Sequence, residues 1–295
     1  MRNALTVDVE DYFQVTAFSG VVQRDDWPIY PSRVERNTRR VFDLLDAYSL
    51  KATFFVLGWV ADHFPGLVKE IAHRRHEVGC HGYDHELIYN QGPDKFRKDV
   101  RRTKTMLEDI TGLAVLGYRA PSYSITEKSL WALDILIEEG FAYDSSIFPI
   151  VHDNYGIPGA ERFPHDIRRE NGSIREFPLT TLNMSLPGKT MPLPIAGGGY
   201  LRLFPAEIIH WGMRRINQVE KQPTVLYFHP WELDPDQPRI KARLRSRFRH
   251  YVNLDLTEDK LCYLFKFLEF GTMSEVLGMN GAAAEKVVED DGGPV

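Results

Sequence analysis

The sequence predicts an α/β protein, a distorted parallel (β/α) barrel, on three observations. Short apolar runs alternate with segments of helical period, in the order strand then helix. Polar residues able to do chemistry gather where those runs end, as they do at the rim of a parallel sheet. The 295 residues suit one such barrel better than two full domains. Residues 1–279 read as a single domain with a hairpin-rich insertion at about 147–204. The acidic, small-residue stretch 280–295 reads as a disordered tail.

The first strand is the apolar run 4–9, which delivers Asp8, Glu10 and Asp11 at its end. A connection of about twenty residues follows, rich in aromatics (Phe13, Phe18, Trp27, Tyr30), a composition that favours a functional surface over a linker. Ser32 is placed to cap a helix over 33–48, whose apolar face holds Val34, Val41, Leu44 and Leu45. The second strand is 51–57, and Pro65 opens the next helix. The third strand, 77–80, ends at Cys80-His81-Gly82-Tyr83-Asp84-His85. Pro93 begins a helix that Thr111-Gly112 terminates, and strand 114–118 then delivers Arg119-Ala120-Pro121-Ser122-Tyr123. A helix over 126–139 and strand 141–143 deliver Asp144-Ser145-Ser146.

From 147 to 203 prolines and glycines are frequent, and the runs 174–179 and 199–203 suggest hairpins. A helix from Pro205 to about 222, a strand over 224–228 ending at His229-Pro230-Trp231-Glu232, and a helix over 257–271 complete the chain. His63, His73 and His76 read as surface residues. His152, Asp153 and Tyr155 read equally as sugar contacts and as solvated loop. The basic run 239–249 reads as an extended edge segment with a solvated face, with contact to a lipid phosphate or membrane surface as the rival.

A net charge of −5 argues against nucleic-acid binding. Cys80 and Cys262 lack a C-x-x-C spacing and read as reduced thiols. No apolar leader core opens the sequence and no run approaches membrane-spanning length, so a cytoplasmic location is expected.

His81 and His85 stand four residues apart, a spacing that on a helical turn puts both imidazoles on one face and within reach of one divalent ion. The pair alone is a weak signal, because surface helices carry it by chance. Its weight comes from convergence: five strand ends bring together Asp8/Glu10/Asp11, His81/His85, Arg119, Asp144 and His229. A third ligand from the first strand end is required. Strand alternation places Glu10 on the same face as Asp8, while a turn would aim Asp11 inward, so both stay open.

These residues resemble the polysaccharide deacetylase family, the carbohydrate esterases with a NodB homology domain. The resemblance rests on Thr6-Val7-Asp8-Val9-Glu10-Asp11, the 51–58 strand, His81 to His85, Arg119-Ala120-Pro121, Asp144-Ser145 and Leu226 to His229. The "VDVEDYF", "YDSSIFP" and "HPWE" segments look most like the branch associated with exopolysaccharide and exosortase loci. The family's two adjacent aspartates are replaced here by Asp8-Val9-Glu10.

The resemblance implies a metal-dependent hydrolase that removes acetyl groups from N-acetylated sugars of a polysaccharide or its lipid-linked precursor. It implies one divalent ion, zinc first and cobalt, nickel or iron as substitutes. Asp8 would be the base, Arg119 its partner, His229 the general acid and Asp144 the residue orienting it. The Ser122 backbone N–H would assist an oxyanion. Tyr83, Tyr123 and Trp231 would pack against sugar rings. The expected partner is a glycan, with peripheral contact to a membrane or lipid-linked glycan as a further expectation. Two rivals stand beside this reading: an amidohydrolase of a small amide, and a non-catalytic glycan-binding module.

Overall fold

The computed structural model describes residues 1–152, 155–186, 189–195 and 197–279. β1 (Asn3–Val9) is buried along its whole length, as a strand covered on both sides must be. A long connection with two short 3₁₀ turns leads to α1 (Val34–Ala47) and β2 (Thr53–Val56). Two consecutive helices follow, α2 (Gly58–His63) and α3 (Pro65–His73), where the sequence pattern marks only the second. Then come β3 (Glu77–Cys80), α4 (Pro93–Thr111), β4 (Gly117–Tyr118), α5 (Trp131–Glu138) and β5 (Tyr143–Asp144). The C-cap of α4 is Gly112 at φ 71°, the left-handed stop its sequence announces.

The region expected to be an insertion is in part sheet. β6 (His165–Arg169) and β7 (Gly172–Glu176) form a hairpin, and β7 runs parallel beside β5. Only β8 (Thr181–Leu186) and β9 (Lys189–Pro194) form a separate two-stranded sheet. The run 199–203, expected to be a hairpin strand, is the helix α6 (Gly199–Leu203). α7 (Ala206–Arg215), β10 (Val225–Phe228), α8 (Leu244–Tyr251), α9 (Thr257–Phe267), β11 (Phe270–Gly271) and α10 (Met273–Val276) complete the fold. The basic run expected to be extended therefore contains α8. The expected tail, 280–295, and Asp153 lie outside the described residues.

The main sheet runs β10-β1-β2-β3-β4-β5-β7-β6, parallel up to β7, with β11 also pairing β1. Its two sides meet at a seam. The Thr180 hydroxyl donates to the Val225 carbonyl (2.9 Å) and accepts from the Val225 N–H (2.7 Å), tying the chain just beyond β7 to β10. Gly197 bridges Tyr227 in the same seam, where a Cβ would lie 1.8 Å from the Tyr227 carbonyl oxygen. The backbones touch there because one residue has no side chain. The sheet thus curves into a barrel that is distorted where side-chain bonds replace the ladder.

Two local expectations change. Ser32 does not cap α1. Asp11 does so from the end of β1, its Oδ2 accepting from the Arg33 N–H (2.7 Å), the Val34 N–H (3.1 Å) and the Ser32 hydroxyl (2.7 Å). His63 and His73 are exposed, but His76 is buried, stacked on Phe42 at 9° and 5.7 Å.

Candidate active site

Four strand ends and one turn build the site. Alternation along β1 sends Asp8 and Glu10 to the same side, and both are almost wholly buried. Arg119, just past β4, has no exposed surface. A buried guanidinium requires a full set of acceptors. It donates to Asp8 Oδ1 (2.8 Å), to the Thr6 hydroxyl (2.6 Å), and to the Ser145 carbonyl and hydroxyl. The face of Phe55 covers it at 4.3 Å. Asp8 is thereby fixed in position from beneath. The Tyr123 hydroxyl approaches its other oxygen at 3.4 Å.

His81 and His85 meet around a turn and not on a helix. The chain leaves β3 and reverses through Gly82 (φ 70°), and His85 itself takes φ 52°. Ser122 and Tyr123, opposite, also have positive φ. Non-glycine residues held there cost of order 1–3 kcal/mol each, and three of them at one rim mark strain maintained by the surrounding fold. The His81 Nδ1 pairs with the Arg119 carbonyl (2.8 Å), which leaves Nε2 as the ligating lone pair.

Glu10, His81 and His85 place one ligating atom each within 4.8 Å of one another. The Glu10 Oε2 lies 2.9 Å from His85 Nε2, yet this buried oxygen has no hydrogen-bond donor aligned on it. A buried acceptor left without a donor fits a cation. Burial pushes the Glu10 pKa up, but the adjacent His85, with His229 and His81, brings it down to about 2. Burial holds the His81 imidazole down at about 4, so it is neutral, the form that binds a metal. Two imidazoles and a carboxylate are a donor set suited to zinc and its neighbours. Asp11 is not in the group. Its carboxylate is turned away and spent on the N-terminus of α1, so of the two acids left open by the sequence only Glu10 faces the histidines.

His229, just past β10, approaches from the other side, its Nε2 3.5 Å from Glu10 Oε1 and 4.0 Å from Asp8 Oδ2. Asp144, expected to orient it, does not. That carboxyl, at the end of β5, is fully buried, accepts from the Ser146 hydroxyl (2.5 Å) and pairs with Glu176. Glu232 orients the imidazole instead: its Oε1 lies 2.6 Å from His229 Nδ1 and accepts from the His229 N–H at 3.0 Å. Arg202 in turn donates to Glu232 Oε2 at 2.6 Å, with both groups buried. Burial opposes charge on His229, but the Glu232 hydrogen bond, with Glu10, outweighs it and raises the pKa to about 9. The sequence carried a signal for Glu232, because an acid three residues after a strand end has capping-box spacing. Arg202, from α6, had none.

The aromatic expectations fare differently. Trp231 is buried, with one ring face on His229 (5.0 Å, 20°) and the other on His250 (4.1 Å, 17°). No face is left for a sugar. Its indole N–H instead donates to Glu10 Oε1 (3.2 Å) and fixes that carboxylate. Tyr123 is buried among Phe148, Tyr155 and Tyr227 and meets the site only through its hydroxyl. Tyr83 points away, its hydroxyl on Asp62 and its ring under Arg102. The Ser122 hydroxyl bonds Thr16 (2.7 Å), whose oxygen is 3.5 Å from His85 Nδ1. Beside His85 opens a cavity of about 160 Å³ reaching Thr16, Asp84 and Trp27, so the aromatic connection after β1 does form part of the rim.

Residues 22–136 match the family model for polysaccharide deacetylase, and residues 145–278 match one described as a domain of unknown function, DUF3473. The chain is similar to the peptidoglycan-N-acetylglucosamine deacetylase of Bacillus cereus, 36% identical over 98 residues (33% of this chain, 36% of that protein). It is also similar to the peptidoglycan deacetylase of Helicobacter pylori, 36% identical over 112 residues (37% of this chain, 36% of that protein). The chain thus spans about a third of the length of these relatives. A putative polysaccharide deacetylase from Mycobacterium smegmatis shares the fold, with TM-score 0.57, 21% identity, 94% of this chain and 90% of that one covered. His81, His85 and Arg119 fall in the first of these segments and Arg202, His229 and Glu232 in the second, while Asp8 and Glu10 precede both; the first segment is what this chain shares with the polysaccharide deacetylase family model.

Proposed function

We propose that this protein is a metal-dependent deacetylase that removes acetyl groups from N-acetylated sugars of a polysaccharide or of its lipid-linked precursor. The observation that carries the reading is the grouping of Glu10, His81 and His85 between two oriented groups, Asp8 on Arg119 and His229 on Glu232. Glu10, His81 and His85 would hold the ion, with zinc the first choice. When bound, such an ion polarises an amide carbonyl and acidifies water. Asp8, held by Arg119, takes the proton of the attacking water. His229, kept protonated by Glu232, which Arg202 holds in place, gives its proton to the leaving amine. Trp231 keeps Glu10 in place. Ser122, in its left-handed conformation beside Thr16 and His85, is where a backbone N–H would meet the developing oxyanion.

The test is acetate release from N-acetylglucosamine oligomers by enzyme that has been chelated and then re-supplied with zinc, cobalt or nickel. Release that returns with metal and is absent in His81→Ala supports the reading. Metal binding without release from any oligomer counts against this substrate class.

A further inference from the structure

The exposed surface of α8 is built the wrong way round for an ordinary surface helix. Such a helix buries its apolar stripe and shows water its polar one. Here Leu244 is 80% exposed and Phe248 is 60% exposed. They stand four residues apart and so lie on one face, with Arg247 and Tyr251. Together with Arg239 these residues line a single open groove. The buried side of the helix carries His250.

The charge around this face is of one sign. Arg239, Lys241, Arg243, Arg245, Arg247 and Arg249 occur with no acid between Asp236 and Asp255, in a chain whose net charge is −5. Among the described residues, Arg243, Arg247 and Arg249 are exposed and make no ion pair. Arg239 lies over the Tyr251 ring at 4.3 Å, which holds it at the groove edge. Val21, 48% exposed, belongs to the neighbouring loop, anchored where Phe18 packs on His250 at 4.6 Å. No helix among the described residues is long and apolar enough to cross a membrane.

We propose that α8 docks this protein on the surface of an anionic lipid bilayer, with Leu244 and Phe248 entering the headgroup layer and the arginines meeting lipid phosphates. Exposed apolar side chains ringed by arginine, on an otherwise acidic protein, match that surface and not a neutral one. Docking there would hold the active site near the lipid surface. His250 of α8 stacks on Trp231, which bonds Glu10, so the helix and the metal-ligand group are two contacts apart.

The experiment is co-sedimentation of the full chain with vesicles of phosphatidylcholine alone and with phosphatidylglycerol added. It reads binding whether or not acetate is released, so its failure is separable from failure of the deacetylase reading. Each basic side chain held at an anionic surface is worth about fivefold in partition. Arg243→Glu/Arg247→Glu, which changes the charge by four units, is therefore expected to weaken binding to the anionic vesicles by about six hundredfold. Leu244→Ser/Phe248→Ser is expected to weaken it by about tenfold at unchanged charge. Wild-type binding should fall steeply as salt is raised. Equal binding to neutral vesicles, no binding at low salt, unchanged binding in both variants, or pairing of two chains through this face in place of vesicle binding would each overturn the proposal.

Discussion

At the level of single side chains, the site separates groups that the sequence places side by side. Glu10 and Asp11 are neighbours, yet one faces two imidazoles and the other caps a helix. Glu10→Gln should lose most of its metal affinity, read by metal titration, while leaving the thermal transition of the metal-free protein nearly in place. Asp11→Ala should do the reverse, costing about 1–2 kcal/mol through the lost cap while retaining metal binding. His229 gives the second contrast. Under the proposed mechanism its acid form is required, so activity should fall as pH rises through its pKa, and the Glu232 hydrogen bond is what raises that pKa. Glu232→Gln should move the basic limb of the kcat–pH profile to lower pH and reduce kcat about tenfold or more. Asp144→Asn should leave that limb where it is. A basic limb that moved only in the Asp144 variant would restore the role expected for that residue. The sequence made His81, His85, Arg119 and His229 legible because each lies just past a strand, in the segment a strand end delivers, and strand ends in a parallel sheet share one rim. It did not reveal which carboxylate serves which imidazole. That depends on where side chains point after the turn, which periodicity does not encode.

The same division holds for elements. α4, with its proline start and glycine stop, was readable to within a residue or two, and Pro65 marked the start of α3, since such ends are written in local chemistry. β7 was not, because its place beside β5 depends on a pairing across the barrel, and its alternation reads equally as a free hairpin. α6 and α8 were hidden as well. The first is five residues long, and the second shows its apolar residues outward, against the pattern by which helices are recognised. The seam yields an element-level prediction. Thr180 supplies both bonds that tie the chain after β7 to β10, and valine has its shape without its hydroxyl. Thr180→Val leaves the Val225 N–H and C=O buried without those partners. The loss should be about 2–3 kcal/mol in a denaturant titration. A change below about 0.5 kcal/mol would mean that the barrel is held together elsewhere.

For the molecule as a whole, two buried centres away from the site pull its acid–base behaviour in opposite directions. His76 lies between Phe42 and Phe54, its Nδ1 accepting from the Ala52 N–H and its Nε2 without a partner. Burial, with Lys51 nearby, lowers its pKa to about 4 from 6.5. The unfolded chain therefore binds more protons than the folded one between about pH 4 and 6.5, so this centre's stability is present above 6.5 and lost as pH falls toward 4. At about 1.4 kcal/mol per unit, the loss approaches about 3 kcal/mol. Asp144 and Glu176 act the other way. Asp144 Oδ2 and Glu176 Oε2 are buried with no other donor, so the pair is satisfied by one proton held between them. Burial raises Asp144 to about 6, and burial together with the Asp144 charge raises Glu176 further. The folded state here binds more protons than the unfolded one, so this stability is full below about pH 4 and declines as pH rises through 6. These two slopes offset each other between pH 4 and 6.5. Glu176→Gln reproduces the protonated acid and removes one slope, so its stability should rise more with pH across that window than that of the intact protein. His76→Asn keeps an acceptor for Ala52 and removes the other, so its stability should rise less with pH, or fall more, than that of the intact protein. Denaturant titrations of the three proteins at half-unit pH steps read the slopes directly, whatever each substitution costs in absolute stability, and parallel profiles would show that neither centre governs the acid response.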